Sequence, residues 1–223
     1  MTKNAARGAQ NSELVQAVLF DVDGTLLDTT EFIYGGFDHT LAAHGFPPVA
    51  RAAYARVMGK TLIDGYVALA PGCDAEVLIE THRAWQAVNL HLSVPYPDAI
   101  EVLRTLRAAG LRLAAITTRS RRTSVRTIEQ AGLADYLDLV LSFEDVPAIK
   151  PDPAPLLIAL ERLEVPPAAA VMVGDTDADI LAGRAAGVRT VGVTYGFHGA
   201  EVLAAGPDVT VDRLSDLLGI LGL

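Results

Sequence analysis

"VLFDVDGTLLDT", the stretch from Val18 to Thr29, contains the feature that decides the fold. Its apolar start is typical of a buried strand, and Asp21 and Asp23 stand where that strand ends. Side chains two positions apart in a strand point to the same face, so both carboxylates are expected to face one space. Carboxylates this close repel each other unless a cation or a proton lies between them. The pair therefore indicates either an acidic functional site or an Asp-Gly turn of the kind that often follows strands.

Composition and charge restrict the classes of protein to which this chain can belong. At 223 residues it is long enough for one well-filled domain, or for a domain with a smaller insertion. Its formal net charge of −9 argues against a nucleic-acid binder, which needs a basic face for phosphates. No apolar stretch reaches the roughly 18 residues of a membrane span, and "MTKNAARGAQNS" at the start lacks the apolar centre of a signal peptide. We expect a cytoplasmic protein without membrane or nucleic-acid partners, whose residues 1–13 form a flexible tail.

Short apolar runs alternate with helix-length amphipathic segments along most of the chain. Two such segments, "DAIEVLRTLRAAG" (98–110) and "DPAPLLIALERL" (152–163), have apolar residues at helical spacing. The apolar runs predict strands at about 16–21, 111–117, 137–142, 169–175, 188–193 and, at an edge, 207–211. Apolar strands separated by helices are typical of a parallel sheet that is covered on both faces. The sequence therefore predicts an α/β fold with a doubly wound, mostly parallel sheet.

Residues 28–95 interrupt this alternation, because they contain helical patterns and no convincing strand. The patterns include "EFIYGGFDHTLAAHG" and "DAEVLIETHRAWQAVNLHL". We interpret 28–95 as an inserted α-helical cap domain, with a core made of residues 1–27 and 96–223. Since the insertion leaves the sheet beside Asp21 and Asp23, it is expected to cover them as a lid.

Polar and charged side chains follow four of the predicted strands. Open α/β sheets bind ligands at the carboxyl ends of their strands, so a site is expected there. The four ends offer Asp21, Asp23, Thr117, Thr118, Lys150, Asp175 and Asp179. Each residue alone has a structural explanation, such as a helix cap or a solvated loop lysine. Together, in this order, they predict a catalytic site and make a simple turn the weaker interpretation.

These motifs closely resemble those of the haloacid dehalogenase (HAD) superfamily. "DVDGTLLDT" resembles its first motif, Thr117 its second, Lys150 in "KPDP" its third and "GDTDAD" its fourth, in the same order over about residues 16–193. The resemblance implies a Rossmann-like core, and the helical insertion resembles the small C1 cap of the superfamily. Dehalogenase members lack the second acid of the first motif, so Asp23 implies phosphate chemistry.

The resemblance also implies a role for each motif residue. Asp21 would be the nucleophile that forms an aspartyl-phosphate. Asp23 would first donate a proton to the leaving oxygen and later take a proton from water. Mg²⁺ would be held by Asp21, Asp175 and the backbone carbonyl of Asp23. Lys150 would neutralise charge on the transferring phosphoryl group, and Thr117 would hydrogen-bond one of its oxygens.

Four further positions have less defined roles. Asp179 is expected to orient Lys150 or water molecules on the metal rather than to bind the metal itself. Thr118 stands where many relatives have Asn, and its hydroxyl is a candidate substrate contact. Arg119 is either a phosphate contact or a solvent-facing cation at a helix start. In the cap, Lys60 of the loop "MGKTLIDGY" is a candidate for binding an anionic leaving group.

The motifs leave the substrate open. The chain resembles bacterial phosphoglycolate phosphatases in its motifs and cap type, which implies a Mg²⁺-dependent phosphatase acting on a small phosphorylated metabolite. A pyrophosphatase branch of the superfamily is also similar, through "DTTEFI", "ITTR" and "KPDPAP". A phosphosugar mutase such as β-phosphoglucomutase shares the fold, the cap and the acid pair, and is a further alternative. A non-catalytic binding protein would be expected to lose Asp21, Asp23 or Lys150, all of which are present.

Overall fold

A computed structural model describes residues 14–223, so the tail predicted over residues 1–13 lies outside the described residues. The strands are β1 Ala17–Phe20, β2 Leu27–Asp28, β3 Val94–Pro95, β4 Arg112–Ile116, β5 Leu139–Leu141, β6 Ala170–Gly174, β7 Arg189–Val193 and β8 Val209–Val211. The α-helices are α1 Thr30–Ala43, α2 Arg51–Ala55, α3 Leu62–Leu69, α4 Ala75–Val88, α5 Ala99–Ala108, α6 Arg121–Gln130, α7 Ala154–Leu163, α8 Asp177–Ala186 and α9 Asp216–Leu221. Within residues 14–223, no helix is both long and apolar enough to cross a membrane.

Six of the strands form one parallel sheet in the order β5-β4-β1-β6-β7-β8. In β1, Ala17 pairs with Arg112 of β4 on one side and with Ala170 of β6 on the other. After β5 the chain crosses back over β1 to β6, which makes the end of β1 the switch point where such sheets bind ligands. The predicted doubly wound α/β fold is confirmed, including the edge position of β8.

Both faces of this sheet are buried. In β1, Val18 and Phe20 join one hydrophobic cluster while Ala17 and Leu19 join the other, because side chains alternate along a strand. Helices α5, α6 and α9 contribute to the first cluster, and helices α7 and α8 to the second. Burying one side chain of Leu or Phe size stabilises a fold by roughly 1.5–3 kcal/mol. This two-sided burial explains why β1 is apolar at every position before Asp21.

The segment between β2 and β3 is helical and has a hydrophobic cluster of its own. β2 and β3 pair antiparallel, Leu27 with Pro95 and Asp28 with Val94, and form a ribbon where the segment leaves and rejoins the sheet. The cluster includes Phe37, Tyr54, Tyr66, Leu78 and Ile79. The ribbon lies at positions 28 and 95, where the sequence predicts no strand, because strands of two residues produce no periodic pattern.

Candidate active site

The carboxyl ends of the central strands bring the motif residues together. Backbone hydrogen bonds continue past the strand ends, from Asp21 N to the Val173 carbonyl and from Thr117 N to the Leu141 carbonyl, both at 2.9 Å. Asp175 directly follows β6, the neighbour of β1. The sheet itself therefore holds these three side chains, and rigid elements position functional groups more accurately than free loops do.

Lys150 reaches this edge from the loop before α7 and lies between two buried acids. Its Nζ is 2.6 Å from Asp21 Oδ1 and 2.6 Å from Asp179 Oδ1, and it donates a 3.0 Å hydrogen bond to the Ile116 carbonyl. Burial alone lowers the pKa of Lys150, but the two carboxylates raise it by more, so that its pKa lies above the ordinary value. With a side chain only 4% exposed, Lys150 is not a solvated loop lysine.

A capping box at the start of α8 holds Asp179 in place. The Thr176 hydroxyl accepts a hydrogen bond from the Asp179 backbone N–H. In return, Asp179 Oδ2 accepts hydrogen bonds from the Thr176 backbone N–H at 3.0 Å and from its hydroxyl at 2.7 Å. This leaves Asp179 Oδ1 for the ion pair with Lys150. The helix cap thus fixes the carboxylate that in turn holds the lysine.

Asp175 is buried in a space that two glycines leave open. The Phe197 backbone N–H donates a 2.7 Å hydrogen bond to Asp175 Oδ2. A Cβ at Gly24 would lie 2.3 Å from Asp175 Oδ2, and one at Gly196 would lie 2.3 Å from Asp175 Cβ. Gly24 also has a φ of 86°, a conformation that favours glycine. Any other residue at either position would displace the Asp175 carboxylate.

Burial dominates the electrostatics of the two strand-end acids. It raises the pKa of Asp21 to about 7, although the charge of Lys150 acts in the opposite direction. It also raises the pKa of Asp175 well above its ordinary value, and the neighbouring Asp21 charge adds to this effect. One lysine does not balance the negative charge of three buried carboxylates when all of them are ionised. A further cation at this position would therefore favour their charged forms.

The buried cluster of Asp21, Asp175 and Asp179 fits a divalent cation. One carboxylate oxygen from each residue lies within 4.8 Å of the other two. Asp175 Oδ1 is buried without a hydrogen-bond partner, which is costly unless a further group binds it. Carboxylate oxygens are the donors that hard cations such as Mg²⁺ prefer. Asp21 and Asp175 are the better candidate ligands, because the oxygens of Asp179 already contact Lys150 and Thr176.

Asp23 contacts residues that follow the end of β4. Its Oδ1 is 3.2 Å from Arg119 Nη1, and the Thr117 hydroxyl lies 3.4 Å from its Oδ2. The Arg119 side chain is only 9% exposed. Its Nη2 donates a 2.8 Å hydrogen bond to the Thr127 hydroxyl, and its guanidinium lies 4.6 Å from the centroid of the Phe32 ring of α1. The interpretation of Arg119 as a solvent-facing cation is wrong, because the carboxylate and the aromatic ring draw it inward.

A cavity of about 390 Å³ lies between the sheet edge and the helical segment. Its lining includes the predicted site residues Asp21, Asp23, Lys60, Thr118 and Lys150. The predicted site residues Thr117, Asp175 and Asp179 are buried and do not line it. The two candidate substrate contacts, Lys60 and Thr118, therefore face the same space as the acid pair.

Sequence reasoning missed a fifth strand end that contributes to the site. After β7, the Phe197 backbone N–H binds Asp175, and the Tyr195 hydroxyl donates a 2.8 Å hydrogen bond to the Thr25 carbonyl. Every residue except proline has a backbone N–H, so this contact cannot be recognised from residue types. The sequence offers one indication, which is Gly196 soon after a predicted strand. The burial of the Arg119 side chain was also not predictable, because Asp23 and Phe32, which it contacts, lie far from it in the chain.

Comparison with known proteins identifies relatives over nearly the whole chain. The sequence profile of haloacid dehalogenase-like hydrolases matches residues 18–193. A protein named pyrophosphatase PpaX, from Bacillus pumilus (strain SAFR-032), is 35% identical over 215 residues, which cover 95% of this chain and 99% of the relative.

Solved structures align over a similar share of the chain. A predicted phosphatase from Clostridium acetobutylicum has a TM-score of 0.83 at 25% identity, over 94% of this chain and 100% of that one. A predicted phosphoglycolate phosphatase from Haemophilus somnus 129PT has a TM-score of 0.86 at 23% identity, over 94% of this chain and 99% of that one. At that identity, the second likeness shows the fold alone.

Proposed function

The chain belongs to the haloacid dehalogenase-like hydrolases and is a phosphatase of that family, and we propose that it hydrolyses a small phosphorylated metabolite through a covalent phosphate on Asp21. The observation that carries this proposal is the 2.6 Å ion pair between Asp21 and Lys150 at a buried strand end. A carboxylate held beside a lysine is suited to attack phosphorus, since the lysine balances the charge of the phosphoryl group during transfer. More specifically, we propose that its activity resembles that of a phosphoglycolate phosphatase.

The reaction that we propose has two steps. In the first, a carboxylate oxygen of Asp21 attacks phosphorus, the bond from phosphorus to the leaving oxygen breaks, and Asp23 gives its proton to that oxygen. In the second, Asp23 takes a proton from water, the water oxygen attacks the same phosphorus, and the bond between phosphorus and the Asp21 oxygen breaks. This frees inorganic phosphate and restores the Asp21 carboxylate. Lys150 balances the charge of the phosphoryl oxygens in both steps, and Thr117 hydrogen-bonds one of them.

We also propose that Asp21, Asp175 and the backbone carbonyl of Asp23 hold Mg²⁺. The support is the unpartnered, buried Oδ1 of Asp175 within a cluster of three carboxylates. Mg²⁺ bound there would neutralise carboxylate charge and polarise the phosphoryl group. Asp179 is proposed to orient Lys150, because one of its oxygens pairs with that lysine and the other with the helix cap.

We propose that residues 28–95 form a cap domain over a core that includes residues 14–27 and 96–223. The support is the β2–β3 ribbon at these limits and the separate hydrophobic cluster of the helical segment. Closure of the cap would exclude water from the cavity and bring Lys60 to the leaving group. Thr118, which lines the cavity from the sheet side, is proposed as a further substrate contact.

Pyrophosphate is a second candidate substrate, which the name of the Bacillus pumilus relative favours. A panel of phosphorylated metabolites and pyrophosphate, assayed with Mg²⁺, distinguishes the candidates. We expect inorganic phosphate to be released from a small phosphate monoester with the highest kcat/KM. A higher kcat/KM for pyrophosphate than for every monoester would make the protein a pyrophosphatase. Interconversion of hexose phosphates without net release of phosphate would make it a mutase, and inactivity on the whole panel would refute the proposal.

A further inference from the structure

One wall of the cavity beside Asp21 and Asp23 is used neither by the proposed chemistry nor by the proposed metal site. This apolar wall consists of Ile33, Met58, Leu62 and Ile63 from the helical segment, and of Phe143 and Phe197 from the sheet side. The cavity volume of about 390 Å³ lies within the range of about 300–1,000 Å³ that pockets for small organic molecules occupy. The cavity therefore has room for an organic group beyond the transferred phosphate.

Two residues of the apolar wall are about half exposed although they are large and apolar. Ile63 of α3 is 51% exposed, and Phe143, in a short 3₁₀ helix after β5, is 45% exposed. Both line the cavity, Ile63 from the helical segment and Phe143 from the segment that follows β5. Apolar surface that stays uncovered in a concave site is typical of ligand binding.

Of the lysine and arginine side chains that line the cavity, two are held in ion pairs and two are exposed. Lys150 and Arg119, the cations beside the acid pair, are already ion-paired with Asp21 and Asp23. A leaving phosphate next to Asp23 would therefore compete with that carboxylate for Arg119. The other two lining cations, Lys60 and Arg83, are exposed on the helical segment. An apolar leaving group beside Asp23 needs no cation and covers the apolar wall instead.

We propose that the natural substrate is a phosphate monoester whose alcohol has an apolar body, and that this body lies against the apolar wall between Ile63 and Phe143. The inference rests on the proposed hydrolysis of a phosphate monoester and departs from phosphoglycolate as the specific substrate, because the glycolate part has no apolar body. Pyrophosphate has no apolar atom to place against the wall and gains nothing from it. A polar or anionic end of the alcohol would face the exposed cations Lys60 and Arg83.

A series of n-alkyl phosphates from methyl to n-butyl tests this inference, because its members differ in apolar area at nearly constant leaving-group acidity. We expect kcat/KM to rise about two- to fourfold with each added methylene, as its burial against apolar side chains predicts. Ile63→Ser and Phe143→Ser should each reduce that increment. Val67→Ser is the matched control, because Val67 lies on the same helix α3, is 59% exposed and does not line the cavity. This control should keep the increment of the native protein.

Two results would overturn the inference while leaving the phosphatase function in place. These are a flat or falling series and an increment that both serine variants keep. Failure to hydrolyse any phosphate ester or pyrophosphate would instead overturn the proposed function on which the inference rests. The two failures are therefore distinguishable in one set of assays.

Discussion

Arg119 and Asp23 form an ion pair at 3.2 Å although 96 residues separate them in the chain. The backbone of Arg119 is also held, since its N–H donates to the Thr117 hydroxyl at 3.1 Å and its carbonyl accepts from the Phe143 N–H at 2.9 Å. The guanidinium in turn lies over Phe32, so the pair connects Asp23 to helix α1. The direction of the Asp23 carboxylate thus depends on a residue outside the catalytic motifs.

This contact predicts a leaving-group effect for Arg119→Gln. We expect the variant to slow hydrolysis of an alkyl phosphate about tenfold or more beyond its effect on p-nitrophenyl phosphate. An alkoxide needs the proton of Asp23 to leave, whereas p-nitrophenolate does not, and general acid catalysis contributes about 10²–10⁴-fold. The measurement is kcat/KM for both substrates, with Arg119→Lys expected to recover part of the loss. Arg122→Gln, at an exposed arginine of α6, is the control. Equal losses on both substrates would mean that Arg119 does not act through Asp23.

Removal of divalent metal is expected to abolish turnover and to lower the melting temperature. The carboxylates of Asp21 and Asp175 would lose the cation that favours their charged forms, and a ligand that binds the folded state stabilises it. Mg²⁺ should restore both properties, and Ca²⁺ should restore activity poorly because it accepts more ligands in a looser geometry. Asp175→Asn should weaken the Mg²⁺-dependent rise in melting temperature, whereas the exposed Asp177→Asn should keep it. Full activity in chelator, with the metal shown to be absent, would remove Asp175 from its proposed role.

Lys60→Ala tests whether the helical segment contacts the leaving group. We expect a loss of about 1–3 kcal/mol in transition-state stabilisation for a substrate with an anionic leaving group, the usual size of a hydrogen bond to a charged group. Phosphoglycolate and p-nitrophenyl phosphate form the matched substrate pair, and little change is expected for the second. Arg56→Ala replaces a nearby exposed cation that does not line the cavity. Equal effects on both substrates would mean that Lys60 does not bind the leaving group, and unchanged kinetics would make it a surface lysine.

His82 makes stability depend on pH in a predictable direction. Burial lowers its pKa from 6.5 to about 3, and its Nδ1 lies 2.7 Å from the Tyr66 hydroxyl. Between these pKa values the unfolded chain binds more protons than the folded one, so this residue's contribution to stability falls as pH drops below 6.5. The slope approaches about 1.4 kcal/mol per pH unit.

Urea unfolding between pH 7.5 and 4.5 measures this contribution. It is the difference between the native protein and His82→Gln in how the free energy of unfolding changes with pH. The variant should lose less stability on acidification, because its side chain does not titrate. His91→Gln, at an exposed histidine, should behave like the native protein. An identical pH dependence for His82→Gln and the native protein would show that His82 is not the group responsible.

The sheet was predictable from the sequence, whereas most pairings between side chains were not. β1 and β6 are buried on both faces, so they are apolar at successive positions and stand out in the sequence. Asp21 and Asp175 follow these strands directly, which made their meeting at one edge predictable. The contact of Lys150 with Asp179 was predictable only as one of two alternatives, because it depends on how a loop and a helix start approach each other in three dimensions. The hydrogen bond from the Phe197 N–H to Asp175 has no side-chain signal in the sequence at all.

The covalent role of Asp21 is tested most sharply by the turnover rate of Asp21→Asn, measured with Mg²⁺ and the best phosphate monoester of the panel. A neutral amide cannot attack phosphorus, and loss of one member of a catalytic unit commonly costs about a thousandfold or more. Asp177→Asn makes the same chemical change at an exposed position and should remain active. With the variant shown to be folded at the assay temperature, Asp21→Asn is predicted to retain less than about a thousandth of the native rate. A well-folded Asp21→Asn protein that turns over faster than this would contradict a covalent phosphate on Asp21.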